Sequence, residues 1–106
     1  SHPDDLSAWH RVRKLAKATR YACEAMGQHL GGDYVVASSA WEVVTDALGR
    51  VQDTQVARER LRELAHDAHR AGEPTRTYDL LAERERGAGE RALIEAQAAL
   101  KAALSE

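Results

Sequence analysis

The chain has 106 residues, with 15 Lys and Arg against 17 Asp and Glu, a net charge of −2 and one cysteine. That length suits a single domain over 1–106, burying roughly 65% of its unfolded-chain surface. The charge argues against a polyanion binder acting through bulk charge, and the lone Cys23 excludes an intrachain disulfide and fits a reducing, cytoplasmic setting. No apolar run approaches the roughly 20 residues of a membrane span, and no signal peptide is evident. Ala and Leu are abundant, Phe is absent and Pro occurs twice, which is a helical composition.

Four helices are expected. The first runs from about Asp5 or Ser7 to about Leu30, with Pro3, Asp4 and Asp5 as start signals whose acids suit the positive helix terminus. Gly31-Gly32-Asp33 is a turn. The second runs from about Tyr34 to Leu48, where Val36, Ala40, Val43, Val44, Ala47 and Leu48 recur at helical spacing. Gly49 then marks a kink or stop, and a third helix starts near Asp53 as N-cap and ends near Ala71; the alternative is one helix continuing through Gly49 with a bend. Gly72-Glu73-Pro74 breaks the chain. The fourth helix runs from about Thr75 to Leu104, lined on one face by alanines, with Gly87 and Gly89 marking a bend or a close helix contact. Short connections between amphipathic helices predict an all-α, antiparallel four-helix bundle.

Charge is unevenly placed within this frame. The first thirty residues hold five Lys or Arg against three acids, and no acid falls between Asp5 and Glu24. At about 100° per residue, His10, Arg13, Lys14, Lys17, Arg20 and Tyr21 share one side of the first helix, while Ala8, Val12, Leu15, Ala16, Thr19, Ala22, Cys23 and Met26 take the other. The pattern predicts a cationic stripe facing solvent and an apolar stripe facing the core. From His10 to Tyr21 the helix rises about 16 Å, a long rail of cations for an anion. Arg offers fork-shaped donors, Lys a mobile point charge, and His a contact that strengthens on protonation. Arg11 points away from the centre of the stripe, and Glu24 is placed to orient Arg20 or Lys17.

The segment WHRVRKLAKATRYACE carries a more specific signal. His10, Arg13, Lys17, Arg20-Tyr21 and Glu24 resemble the His, Arg, Lys, Arg-Tyr and Glu positions of the CHAD family, the conserved histidine α-helical domain. Downstream, ALGRVQDTQVARERL is similar to the family's Leu-Gly, Asp and Val-Ala stretch, with Leu48-Gly49 and Asp53 in the matching places. The resemblance covers nearly the whole chain but corresponds to the C-terminal half of a domain in which two related helical bundles face each other across a basic channel. It implies non-enzymatic binding of inorganic polyphosphate through His10, Arg13, Lys17 and Arg20, with Tyr21 as a phenolic donor or helix anchor, and with some relatives associated with polyphosphate granules; Lys14 joins the candidate contacts as their neighbour on the stripe. It also implies a second half-domain, in a second copy or another chain, and association with triphosphate-tunnel enzymes.

The remaining residues point to bland roles. No Gly-rich phosphate loop, acidic metal cluster or activated nucleophile is visible, so no enzyme activity, metal or cofactor is expected. His66 and His69 flank Asp67 without completing a metal-ligand set. Cys23 reads as a small buried hydrophobe, and Trp9 and Trp41 as packing anchors. Net acidity, few aromatics and the lack of a motif argue against nucleic acid. A helical scaffold that pairs with a missing half-domain or an enzyme is the competing reading.

Overall fold

A computed structural model describes residues 3–105, with side chains from residue 7 onward. Three helices follow one another, α1 (Pro3–Leu30), α2 (Asp33–Arg70) and α3 (Arg76–Leu104), and the described residues contain no strand. The chain is therefore all-α, as expected, but the second and third expected helices are one. The capping roles expected of the Asp4 and Asp5 side chains lie outside the described residues.

Of the two readings of Gly49, the stop after Leu48 fails and the helix continuing through it holds, for two physical reasons. Gly49 is disfavoured in a helix by only about 1 kcal/mol relative to Ala, and Leu48 and Val51 on either side of it are both buried, which rewards unbroken helical phasing. Asp53 consequently sits exposed in mid-helix and caps nothing. The real stop comes after Arg70. There Gly72 adopts φ 75°, its N–H donates to the His69 carbonyl at 3.0 Å, and the Glu73 N–H donates to the Ala68 carbonyl at 2.8 Å. This is a Schellman closure, which needs the left-handed residue that glycine supplies. Pro74 follows it and prevents the helix from resuming.

α2 is the spine. It packs against α1 along its first half and against α3 over most of its length, and both neighbours run antiparallel to it, joined by short turns. Its 38 residues span about 57 Å at 1.5 Å per residue, which accounts for the 63 × 22 × 20 Å envelope and a radius of gyration of 17.9 Å, against about 13 Å for a compact domain of this length. The core joins Ala16 of α1, Val44, Ala47 and Leu48 of α2, and Ala96 and Ala103 of α3. Trp9, Val12, Trp41 and Leu100 pack around it, so both tryptophans anchor packing as expected. Gly89 marks a close contact: a Cβ there would lie 2.6 Å from the Thr54 hydroxyl. Gly87 has no such neighbour on α2.

Candidate functional site

α1 touches one helix rather than two, so only a narrow strip of it can be buried. Ala16 is buried completely, and Trp9, Val12, Arg13, Arg20, Cys23 and Gly27 are half-buried around it. That strip is rotated from the expected apolar stripe toward its basic edge. Leu15 is 69% exposed, Ala22 and Met26 are exposed as well, and Cys23 is a half-buried free thiol. The expected division into a cationic solvent side and an apolar core side is thus corrected: Arg13 and Arg20 line the seam with α2, while Leu15 and Met26 face outward.

The six candidate residues fall into two groups. His10, Lys14 and Tyr21 are exposed and Lys17 is half-buried, so their polar ends remain available along one side of α1. Arg13 is instead engaged with α2. Its Nη1 donates to Gln52 Oε1 at 2.6 Å and its Nε donates to the Thr45 carbonyl at 3.4 Å. Its Nη2 lies over Gly49, where a Cβ would approach within 3.1 Å. Gln52 also reaches His10, through a short contact between its Nε2 and the ring Nδ1. Thr45, Gly49 and Gln52 stand about one turn apart on one face of α2 and form a cradle for the Arg13 side chain.

Arg20 is steered by its own helix. Its side chain is 17% exposed, its Nε lies 3.6 Å from Glu24 Oε1, and its guanidinium carbon sits 4.6 Å above the centroid of the Tyr21 ring. The ion pair gives Glu24 the orienting role expected of it, and the ring face attracts the cation through its quadrupole. Arg20 Nε is buried and makes no hydrogen bond. Tyr21 serves as a platform for Arg20 at the edge of the helix.

A groove of about 750 Å³ opens beside His10, between Trp9 of α1 and Leu48, Gln52 and Val56 of α2. Arg11, Asp53 and Glu59 also line it, so its charge is mixed. Lys14 and Lys17 lie outside it, further along α1. Among the described residues no group of His, Cys, Asp and Glu could hold a metal, and His66 and His69 are both exposed. The strongest perturbation of a titrating group lies elsewhere, on α3. There a side-chain hydrogen bond from Arg86 holds the Glu83 carboxyl below its ordinary range, and the bond to Glu83 raises Arg86 in turn.

Thr45, Gly49 and Gln52 are the contributors that reading the sequence missed. Gly49 stands in a segment with a recognisable spacing, but a glycine signals a bend or stop and not a contact with an arginine. Gln52 carried no signal by itself, because a neutral amide on a helix is unremarkable until its partners are known.

α1 thus carries His10, Lys14 and Lys17 along one side, with Arg13 held behind them by a polar cradle on α2. Comparison with known proteins goes further: the CHAD domain profile matches residues 1–62, which takes in α1 and most of α2. This chain belongs to the CHAD domain family. Two uncharacterized proteins of Mycobacterium tuberculosis, from strain CDC 1551 / Oshkosh and strain ATCC 25618 / H37Rv, are each 40% identical to it over 100 residues. The aligned stretch is 94% of this chain and 18% of each relative, so the chain spans under a fifth of their length. No solved structure matches it.

Proposed function

We propose that this chain binds inorganic polyphosphate, without turning it over, along the cationic side of α1, as the C-terminal half of a CHAD domain. The observation that carries the reading is the run from Leu6 to Cys23, which holds five Lys and Arg and no acid, with Lys14, Lys17 and His10 accessible at a helical repeat. Family membership supports it, because CHAD domains are associated with polyphosphate. A linear phosphate polymer needs cations at a regular rise and no base recognition, and α1 supplies that rise at 1.5 Å per residue. In this reading Lys14 and Lys17 provide mobile charge, His10 and Arg20 directional donors, and Arg13 a fixed positive charge held behind the face by α2.

A titration with labelled long-chain polyphosphate at low and moderate salt tests this. Binding should weaken as salt rises, as counterion release predicts by analogy with nucleic acids. The Arg13→Ala, Lys17→Ala, Arg20→Ala triple variant should lose it. Because Arg13 and Arg20 also touch other groups of the protein, the Lys14→Ala, Lys17→Ala pair is the cleaner probe. Unchanged binding in both variants sinks the proposal, and RNA competing as well as polyphosphate would recast the site as a general polyanion face.

A second reading is a helical scaffold for a partner half-domain, a second copy or an enzyme. It is favoured by the large apolar side chains left exposed on α1 and α3, Leu15, Met26, Leu80 and Ile94 among them. Light scattering during size-exclusion chromatography discriminates: concentration-dependent dimers support self-pairing, and a strict monomer at high concentration argues against it.

A further inference from the structure

We propose that Gln52 is a positioning residue that fixes which nitrogen of His10 carries the proton, and that Arg13 dictates its choice. The argument is one of donors and acceptors. A guanidinium has only N–H donors, so the atom of Gln52 that takes the 2.6 Å bond from Arg13 Nη1 is the carbonyl oxygen. The amide NH2 is then left facing His10, where Gln52 Nε2 meets the ring Nδ1. An amide nitrogen can only donate, so Nδ1 must accept. The proton of the neutral ring therefore sits on Nε2, at the far edge of an exposed side chain. His10 thus presents an N–H to an incoming oxygen without needing a positive charge.

The cradle makes this assignment stiff. Amide ends exchange freely when nothing distinguishes them, but here the Thr45 carbonyl takes a second bond from Arg13 at 3.4 Å and the bare backbone at Gly49 admits the guanidinium. Reversing the Gln52 amide would set its NH2 against the N–H groups of Arg13, a donor against a donor. Arg13 and His10 are three residues apart on α1, and both reach the same side chain of α2. The link thus also sets the register of α1 on its neighbour at the end where the cationic face begins.

The test reads the ring directly. Long-range proton–nitrogen correlations of His10 in isotope-labelled protein, at a pH where the ring is neutral, should show a single tautomer protonated at Nε2. Gln52→Glu replaces the amide with a group that only accepts: it keeps the partner of Arg13 and should invert His10 to the Nδ1-protonated form. Arg13→Met frees the amide to turn, and the ring should become a mixture of both tautomers. An unchanged tautomer in Gln52→Glu, or an Nδ1 proton in the parent protein, overturns the proposal. If Gln52→Glu fails to fold, Arg13→Met decides alone, with an unchanged single tautomer as the overturning result. The consequence for ligand binding rests on the polyphosphate reading: Gln52→Ala should weaken polyphosphate about three- to tenfold, as expected for one lost hydrogen bond. The tautomer readout needs no ligand. A protein that binds no polyphosphate yet inverts His10 in Gln52→Glu retains this inference and loses that function.

Discussion

α2 carries two seams of different construction. Toward α3 the buried partners are Ala92, Ala96 and Ala103, with Gly89 closed down on Thr54, so two helices meet through small side chains at short range. Toward α1 the described residues bury only Ala16 fully, and the seam is finished by polar ties, with Arg13 on Thr45 and Gln52 and His10 on Gln52. A seam of small apolar residues holds by contact area and dispersion, and any added volume disturbs it. A seam of polar ties holds few square ångströms but fixes direction. The first suits a scaffold and the second suits a helix whose outward side chains must point one way.

The largest effects should come from the apolar seam. Leu48→Ala should cost about 2–5 kcal/mol and Ala96→Leu about 1–3 kcal/mol through overpacking, both read by urea denaturation. If either is silent, the core does not run through α2 as described. Cutting the polar seam should cost less. Arg13→Ala should lower stability by about 1–3 kcal/mol, because it strips Gln52 and Thr45 of a charged donor, whereas exposed Lys14→Ala should stay within about 0.5 kcal/mol. In polyphosphate titrations Lys14→Ala should nevertheless weaken binding, and that reversal between two assays is what distinguishes a tie from a contact.

Gly49→Ala probes the boundary between the two kinds of packing. The substitution gains about 1 kcal/mol of helix propensity but sets a methyl against Arg13 Nη2 at 3.1 Å. The expected net change in denaturation midpoint is close to zero, and a gain of the full propensity would show that the guanidinium is not held there. The smallest effect belongs to the exposed ladder of α3. Arg86 holds the Glu83 carboxyl below its ordinary range, so what this pair contributes is complete above the unfolded carboxylate range and disappears as the pH falls through the lowered folded value. Arg86→Ala should move the carboxyl titration of Glu83, followed by NMR, back toward its ordinary range with little change in midpoint, since both side chains are exposed.

How much could be read beforehand differed by level. α1, the turn at Gly31-Gly32, the break at Gly72-Glu73-Pro74 and the last helix follow from local chemistry, and each stands where spacing and breakers put it to within a few residues. Gly49 left two readings open because a glycine reports only a local preference, and burial of Leu48 and Val51 outweighs about 1 kcal/mol of it. The basic stripe was legible as a cluster but not as a surface. Which of its members face water depends on where the neighbouring helix lies, and one neighbour in place of two turned Arg13 and Arg20 toward the seam and Leu15 outward.

The sequence by itself determined an all-helical chain, a cationic first helix and membership of a family, because helical period, charge spacing and breaker residues act over a few residues of chain. Only the tertiary structure decided that the described residues form three helices, that α2 runs unbroken through Gly49, and that Arg13, Gln52 and His10 meet across separations of up to 42 residues. Those outcomes depend on which surfaces are buried together and on whether each donor finds an acceptor, quantities that exist only once the helices are packed.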